Sequence, residues 1–483
     1  MFANDYNQPR SLHQTKPASF VDSSYILDTD TGELVPKLKY DLNGRARLDK
    51  NPFDARSESR IKRYMLQSAS ASVLKGERVC KCGRVRISDY VGVMTGSVDG
   101  SNRSHYAGLM QCGSVWHCPV CSAKIAERRA TELREAFDSA LSKGWFVSHF
   151  TFTFPHRSDQ SLQSNLDSFL SAYKKFWDSK PIRGYVEMRG IEGRIRALEV
   201  TYNHTNGWHP HIHLLVVSNR PIPISDKEIL YKVWADKCVR SGLSCPSLAH
   251  GLSIQDGSSA GEYINKFADD SKFTSSGSSV TWDMADELTK LNSKTASKGF
   301  TPFDFLRVIS NPGSFDVSDS EVPKYRALFA EYAKCFKGKS QLEWGRGKNW
   351  DLRKKLGLSR ARTDEEVVNE QVEDAKCTVV LTDIEWRIVR GSLRSGTDSR
   401  GHLLTVAESA GFDGVAEFLY SLVAPDCSFT SYRNQLVVRT LSKKDFIRPS
   451  FLHVSESKDS VKFGSLRSAV QSNSQQPFQP LLI

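Results

Sequence analysis

The feature that most constrains the fold is the segment 207–215, GWHPHIHLL, in which three histidines alternate with other residues: His209, His211 and His213. Side chains of a β-strand point alternately to its two faces, so a strand here puts all three imidazoles on one face and Ile212 on the other. Imidazole is the commonest metal ligand at neutral pH, and two histidines two positions apart on a strand can reach one ion. The segment therefore predicts a strand that presents a metal site.

The preceding segment 197–202, ALEVTY, is rich in β-forming residues and predicts an antiparallel partner for the histidine strand. A loop centred on Thr205 sets Glu199 directly opposite His211, where its carboxylate becomes available as a third metal ligand. A tight two-residue turn at the Asn-Gly pair 206–207 shifts the pairing by three residues and turns Glu199 to the other face. Of the two registers we favour the first.

Cysteines cluster in two segments, CKCG at 80–83 and CGSVWHCPVC at 112–121. Structural zinc sites take four thiolate or imidazole ligands in a tetrahedron, and six side chains of these segments compete for the four positions. We predict zinc binding by Cys82, Cys112, Cys118 and Cys121, with Cys80 and His117 as alternatives. In a reducing compartment such clusters indicate metal binding rather than disulfides.

The compartment is predicted from what the sequence lacks. No stretch approaches the roughly 18 apolar residues of a membrane span, and the first twenty residues contain no apolar core of a signal peptide. We therefore expect a cytoplasmic protein that has no membrane partner.

Positive charge is concentrated in one part of the chain. The 483 residues have a net charge of +11, and the stretch 324–362 alone contains twelve basic and three acidic residues, hence a net charge of +9. Aromatic residues interleave with this charge, which is the mixture expected where phosphates and exposed bases are both contacted. From this stretch we predict DNA contacts by Trp344, Arg346 and Lys348.

The segment 145–155, WFVSHFTFTFP, alternates as a strand of the central sheet does. Thr151 and Thr153 fall on the same face of this strand. Because that sheet also carries the histidine strand, we predict that both threonines contact DNA.

A candidate nucleophile lies in the segment 261–267, GEYINKF, which follows a predicted short strand at 251–255. On a helix, positions three apart are neighbours, so Lys266 lies beside Tyr263. A tyrosine hydroxyl titrates near 10 and is a weak nucleophile unless a cation or a base assists it. Taken alone, the segment favours a helix tyrosine packed on the core, and only the histidine strand makes the nucleophile interpretation the better one.

These features together predict attack of a tyrosine on a phosphodiester. A Mg²⁺ or Mn²⁺ ion at the histidine strand acts as a Lewis acid on a non-bridging oxygen of the scissile phosphate. Tyr263 displaces the 3′ oxygen, leaving a 5′-phosphotyrosyl protein and a free 3′-hydroxyl. The bond is exchanged and not hydrolysed, so the strand can later be rejoined.

The segments FTFTFP, GWHPHIHLL and GEYINKF, in this order, resemble the three motifs of the His-hydrophobic-His endonucleases, specifically the replication initiators of rolling-circle plasmids. The phrases CGSVWHCPVCSAKIAERRA and LFAEYAKCFKGKSQLEW extend the resemblance over residues 78–363. It implies an α+β fold with an antiparallel central sheet flanked by helices and a Cys-rich zinc-binding insertion. It also implies metal binding by His211 and His213 and nicking of plasmid origin DNA by Tyr263, with a host helicase and DNA polymerase as partners. The helical C-terminal region of the predicted fold follows from its own periodicity, because residues 364–483 have no counterpart in the family.

Two alternatives remain. A transposase or conjugative relaxase uses the same histidines and tyrosine for a different DNA reaction, although one large group of relaxases has its tyrosine upstream of the histidines. A zinc-containing DNA-binding regulator without catalysis uses the histidines for a structural ion.

The chain divides into six predicted regions. They are a mostly disordered arm at 1–77, a zinc-binding region with a helix at 78–141, the catalytic core at 142–310, a basic helical DNA-contacting segment at 311–363, a small helical module at 364–455 and a disordered tail at 456–483. Helical periodicity within them predicts helices at 122–141, 161–180, 225–241, 282–291, 301–309, 322–337, 384–393 and 403–422.

Overall fold

The computed structural model describes residues 52–98, 100–255, 299–315, 317–345, 351–370, 372, 374–394 and 397–443, together with four short strands before residue 49. The strands are β1 Tyr25–Leu27, β2 Leu34–Pro36, β3 Leu38–Tyr40, β4 Ala46–Leu48, β5 Val91–Val98, β6 Ser101–Ala107, β7 Phe146–Phe152, β8 Ile191–Asn203, β9 Gly207–Ser218, β10 Leu252–Gln255, β11 Leu342–Trp344, β12 Lys376–Leu381, β13 Leu393–Arg394 and β14 Thr397–Asp398. The helices are α1 Pro52–Val73, α2 Pro119–Ser142, α3 Leu162–Trp177, α4 Lys180–Arg189, α5 Lys227–Val239, α6 Pro302–Ser310, α7 Val322–Phe336, α8 Leu352–Lys355, α9 Asp364–Asn369, α10 Asp383–Gly391, α11 Ser399–Val423 and α12 Phe429–Lys443.

Among the described residues, five strands form a central antiparallel sheet in the order β10, β7, β9, β8, β11. The hairpin of β8 and β9 pairs Asn203 with Gly207, so its loop is centred on Thr205 and Glu199 lies opposite His211. This confirms the first of the two registers. Gly207 has φ +77°, and a Cβ there would lie 2.9 Å from the Cα of Ser158, so the end of the loop requires glycine.

One face of the central sheet is apolar and is covered by helices α3, α5, α6 and α7. Phe152 of β7 is fully buried, and its ring centroid lies 5.0 Å from that of Trp234 on α5 and 5.2 Å from that of Phe176 on α3. Deleting a buried ring of this size typically costs a protein ~3–5 kcal/mol of stability. The predicted antiparallel sheet flanked by helices is thus observed.

The opposite face of the sheet is divided into two halves. In one half, apolar side chains of β7, β8 and β9 pack against Leu133 and Phe137 of α2 and Leu352 of α8. In the other half the same strands carry histidine, threonine and glutamate side chains. The polar side chains therefore form a half-face that lies outside the apolar cluster made with α2 and α8.

A second antiparallel sheet joins distant parts of the chain. Its strands, in the order β12, β5, β6, pack with α10, α11 and α12 around a separate core that also contains Tyr64 of α1. The region 364–455 was predicted as a helical module. In the structure its strand β12 instead completes a sheet with β5, which lies about 280 residues earlier in the sequence. A pairing over that sequence distance leaves no local signal.

The predicted disordered arm, 1–77, also differs from the structure. It contains α1 and two short antiparallel pairs, β1 with β2 and β3 with β4. Much of the buried face of α1 is polar, with Arg60, Gln67 and Ser70 all buried. Because its packing uses hydrogen bonds and an ion pair, the helix lacks the apolar periodicity by which the other helices were predicted.

The remaining predicted helices correspond to observed ones, except that 282–291 lies outside the described residues. The basic segment 311–363 is not helical throughout, because its strand β11 pairs with β8 at the edge of the sheet. Helix α11 is interrupted at Gly411, where φ is +58° and ψ is −147°. In the part of the chain that the structure describes, no helix is both long and apolar enough to span a bilayer.

Candidate metal centres

The first candidate centre lies on the polar half of the central sheet. In the observed registers, Glu199 of β8 faces His211 of β9, and Thr151 of β7 faces His213. Residues opposite each other in neighbouring strands point to the same side of a sheet. Three rigid strands therefore direct one carboxylate, two imidazoles and one hydroxyl into the same space.

Distances within this group suit a single divalent cation. Glu199 Oε2 lies 3.1 Å from His211 Nε2 and 3.6 Å from His213 Nε2, and one ligand atom from each of the three residues falls within 4.8 Å of the others. The second carboxylate oxygen, Glu199 Oε1, is buried and has no hydrogen-bond partner among the described residues. A buried carboxylate oxygen of this kind is costly unless a cation binds it, so the donor set fits a metal.

Hydrogen bonds on the far side of each ring fix how the two histidines face the centre. His211 Nδ1 lies 3.2 Å from the carbonyl oxygen of His209, and an N–H there must donate to that oxygen. His213 Nδ1 lies 3.2 Å from Thr151 Oγ1 and 3.2 Å from His149 Nε2. With the protons on the Nδ1 atoms, the lone pairs of both Nε2 atoms point toward Glu199, which is the tautomer that binds a metal.

The ionisation of Glu199 favours cation binding. Burial raises the pKa of this carboxyl, but in the metal-free protein the contacts with His211 and His213, whose rings then donate from Nε2, outweigh burial and hold the pKa below its usual range; a bound metal would take the place of these protons. Glu199 therefore carries a negative charge at neutral pH, next to imidazole nitrogens that a cation can share.

His209, predicted as a further ligand, lies on the same face but outside the group of three. Its ring stacks at 5.3 Å from that of His211, and its Nδ1 lies 3.0 Å from His156 Nδ1. Burial, with the neighbouring His211 and His156, lowers the pKa of His209 to about 3. A neutral His209 thus lines the site without adding charge.

Sequence reasoning missed His149 and His156. The position of His149 on the same face as Thr151 could have been predicted, because the two residues lie two positions apart on a strand that was predicted from its alternation. His156 lies in the loop after β7, and its contact with His209 depends on tertiary structure that no local pattern reveals.

The predicted DNA contacts have different surroundings. The Thr153 hydroxyl donates to the carbonyl oxygen of His250. Trp344 lies half-buried on β11, with the guanidinium of Arg353 4.6 Å from its ring centroid. Four predicted site residues lie outside the described residues: Tyr263, Lys266, Arg346 and Lys348.

The second candidate centre consists of four buried cysteines, the same four that were predicted: Cys82, Cys112, Cys118 and Cys121. Sulfur–sulfur distances of 3.5 to 3.7 Å separate neighbouring members. Sulfurs that surround one zinc tetrahedrally at about 2.3 Å lie roughly 3.8 Å apart, so the cluster has nearly the dimensions of a thiolate zinc site. The donor set therefore fits a metal without rearrangement.

The two alternative ligands have other partners. The Cys80 thiol contacts the carbonyl oxygens of Ala71 and Leu74, at 3.4 and 3.0 Å. The His117 imidazole lies 2.9 Å from the carbonyl oxygen of Ala333. Cys118 also begins α2, where its sulfur accepts the backbone N–H of Cys121 at 3.5 Å, so the Cys-x-x-Cys spacing and the helix start are one local structure.

Comparison with known proteins bears on the families considered above. Residues 108–222 match the family model described as a replication protein, and this range includes β7, β8 and β9. This part of the chain is therefore similar to a replication-protein domain. The predicted resemblance to plasmid replication initiators is thereby confirmed.

Two relatives agree with this assignment. The chain is 27% identical to Protein rep of Streptomyces lividans, over 58% of this chain and 73% of that protein. It is 33% identical to a Streptomyces cyanogenus protein named Neomycin resistance protein, over 23% of this chain and 31% of that protein. No solved structure matches the chain.

Proposed function

We propose that this protein initiates rolling-circle replication by nicking one strand of a plasmid origin and later rejoining it. The observation that carries the proposal is the convergence of Glu199, His211 and His213 on the polar half of the sheet, within the range that matches replication proteins. We also propose that the sheet and its helices are the core of a His-hydrophobic-His endonuclease.

A divalent cation, Mg²⁺ or Mn²⁺, held by these three residues would supply Lewis-acid stabilisation of the charge on the scissile phosphate. The charge balance of the site supports this role. One carboxylate and two neutral imidazoles neutralise only half of a doubly positive ion, so the site keeps net positive charge for a phosphate. Thr151 and the His209 carbonyl hold the two imidazoles in position.

Tyr263 is the proposed nucleophile. Its phenolic oxygen forms a bond to phosphorus while the bond from phosphorus to the 3′ oxygen breaks, the phenolic proton passes to solvent, and the 3′ oxygen takes up a proton. The products are a 5′-phosphotyrosyl protein and a 3′-hydroxyl primer. Lys266, one turn away on the predicted helix, favours the phenolate through its positive charge.

The position of the last residue of β10 supports the proposal that Tyr263 can approach the metal-binding histidines. Gln255, the last residue of β10, pairs with His149 of β7, whose ring lies beside that of His213. Eight residues lead from Gln255 to Tyr263 and can span up to ~26 Å, whereas two strand spacings cover only about 10 Å. The tyrosine is therefore within reach of the histidine strand.

Formation of a covalent adduct tests the proposal. Labelled single-stranded oligonucleotides tiled across the plasmid's origin region, with Mn²⁺, should give a protein–DNA adduct with the natural chain and none with Tyr263→Phe. Tyr231→Phe, which changes an equivalent side chain on α5, should retain the adduct. Equal adduct from Tyr263→Phe would remove this residue from its role, and no adduct from any chain would favour the non-catalytic regulator.

The four cysteines would hold Zn²⁺ as a structural ion, because four thiolate ligands leave no open coordination position. Origin DNA is the expected partner of the polar half-face and of the basic segment 324–362. A host helicase and a DNA polymerase would act on the nicked origin.

A further inference from the structure

The four-cysteine cluster lies where three distant parts of the chain meet, and one side chain bridges them. Gln67 of α1 is fully buried, and its Nε2 donates a hydrogen bond to Cys118 Sγ at 3.2 Å. The same helix contacts the cysteine segment again, because the Ser70 hydroxyl donates to the carbonyl oxygen of His117 at 2.6 Å. Helix α1 therefore positions the residues from which α2 begins.

The other end of the Gln67 amide is held by the C-terminal part of the chain. Gln67 Oε1 accepts a hydrogen bond from Arg400 Nη1 at 2.8 Å, and Arg400 also donates to the carbonyl oxygen of Gly83 at 3.2 Å. Arg400 is fully buried and forms an ion pair of 2.6 Å with Asp398. Since the guanidinium can only donate, it fixes the amide with its oxygen toward Arg400 and its nitrogen toward the sulfur.

Metal binding would change the charge of the four-cysteine cluster, which Gln67 connects to Arg400. A divalent ion bound by four thiolates leaves a net charge of −2 in a buried site, and N–H donors to the sulfurs offset that charge. A hydrogen bond to an ionised acceptor is roughly twice as strong as one between neutral groups. The contact of Gln67 with Cys118 is therefore stronger in the metal-bound protein than in the protein with neutral thiols.

We propose that Gln67 is an outer donor of the metal site, and that Arg400, by holding Gln67, couples metal binding to the docking of residues 398–443. The inference rests on the metal proposed above for the four cysteines. Coupling between two equilibria is reciprocal, so metal should protect α11, and loss of the Arg400 contact should weaken metal binding.

The experiment measures the binding of Co²⁺, used in place of zinc. It compares four chains: the natural protein, Gln67→Glu, Arg400→Met and Arg433→Met. Gln67→Glu keeps the size of the side chain and its contact with Arg400 but replaces the N–H donor with a carboxylate. Arg433→Met is the matched control, because the described partners of Arg433 are the exposed Asp413 and the Phe412 ring, and neither contacts Gln67. Competition with a chelator gives the Kd, and the thiolate-to-cobalt absorption band reports the sulfurs.

Gln67→Glu and Arg400→Met should raise the Kd about 10- to 100-fold and shift the absorption band, as loss of an outer partner commonly does. Arg433→Met should leave both unchanged. In the natural protein, chelation should speed amide hydrogen exchange in α11 as well as in the cysteine segment, a readout that requires no variant to fold.

An unchanged Kd and band in Gln67→Glu would overturn the donor role. Equal exchange in α11 with and without metal would overturn the coupling, even if exchange in residues 112–121 rises. Absence of any cobalt–thiolate band in the natural protein would reject the metal centre itself and the inference with it, a result distinct from either of the others.

Discussion

The two candidate metal centres differ in enclosure and in ligand number. The four cysteines are at most 4% exposed, and their sulfurs contact one another. The side chains of Glu199, His211 and His213 are 12 to 13% exposed and provide three ligands on the polar half-face of the sheet. Closed sites with four ligands are typical of structural metals, and sites with three protein ligands keep a position for water or substrate. The chain would thus use one metal to stabilise its fold and another to act on DNA.

The two centres are also built on different elements. The cysteines come from turns and from the first turn of a helix, so a metal would cross-link segments that lie far apart in the sequence. The three other ligands come from adjacent strands whose register already brings them together. We therefore expect loss of the first metal to affect stability and loss of the second to affect chemistry.

The largest expected effect is on stability. Cys121→Ser removes one ligand of the closed centre, and structural zinc contributes ~10–16 kcal/mol of apparent binding energy in zinc-finger peptides. We expect the thermal midpoint to fall by about 10 °C or more. Cys245→Ser, at an exposed cysteine, should leave the midpoint unchanged when both are followed by circular dichroism. Equal thermal midpoints for the two variants would show that the four-cysteine centre does not stabilise the fold.

The next effect concerns the reaction. His213→Ala removes a ligand of the open centre, and we expect the rate of adduct formation to fall about 10²- to 10³-fold, equivalent to ~3–4 kcal/mol of lost transition-state stabilisation. The thermal midpoint should change little. His250→Ala, at an exposed histidine, is the control. A midpoint that falls as far as that of Cys121→Ser would show that the open centre is structural.

A smaller effect depends on pH. The unfolded chain protonates His209 near pH 6.5, whereas the folded chain keeps it neutral down to its pKa of about 3. The unfolded state therefore binds the extra proton in this window, and stability is lost as pH falls through it. From pH 7 to pH 5 we expect a loss of at most about 2 kcal/mol in the free energy of unfolding. Denaturant titrations of His209→Asn should show a correspondingly flatter pH dependence, and an identical slope would contradict this assignment.

The smallest effect distinguishes two threonines on the same strand. Thr151→Val removes a hydroxyl that contacts His213, so the Mn²⁺ concentration for half-maximal adduct formation should rise about tenfold, with the maximal rate retained. Thr153→Val removes a hydroxyl that contacts only the His250 carbonyl among its described partners, and should not change the Mn²⁺ requirement. The same shift in both variants would mean that the threonines do not act through the metal ligands.

Short-range patterns in the sequence predicted the centres well. The alternation of His211 and His213 and the hairpin that brings Glu199 opposite them depend on neighbouring residues, and the observed register confirms both. The Cys-x-x-Cys spacing and tetrahedral zinc chemistry predicted a four-residue cluster from six candidates, and the four cysteines chosen lie together in the structure. The geometry of the histidine strand is set within one hairpin, and that of Cys118 and Cys121 within one helix start, whereas Cys82 and Cys112 join the cluster from earlier in the chain.

Long-range contacts could not be predicted. His149 contacts His213 only because β7 pairs with β9, and Gln67 contacts Arg400 across 333 residues of sequence. Helix α1 and strand β12 were missed for the same reason, since their partners lie far away in the chain. The roles of Tyr263 and Lys266 remain predictions, because both lie outside the described residues.

Manganese binding tests the central claim most directly. A Mn²⁺ titration followed by electron paramagnetic resonance, with metal analysis of the same samples, compares the natural chain with a double variant, His211→Ala with His213→Ala. We predict that the double variant loses one Mn²⁺ site per chain and keeps its full content of cysteine-bound metal. A double variant that binds Mn²⁺ as tightly as the natural chain would contradict the account.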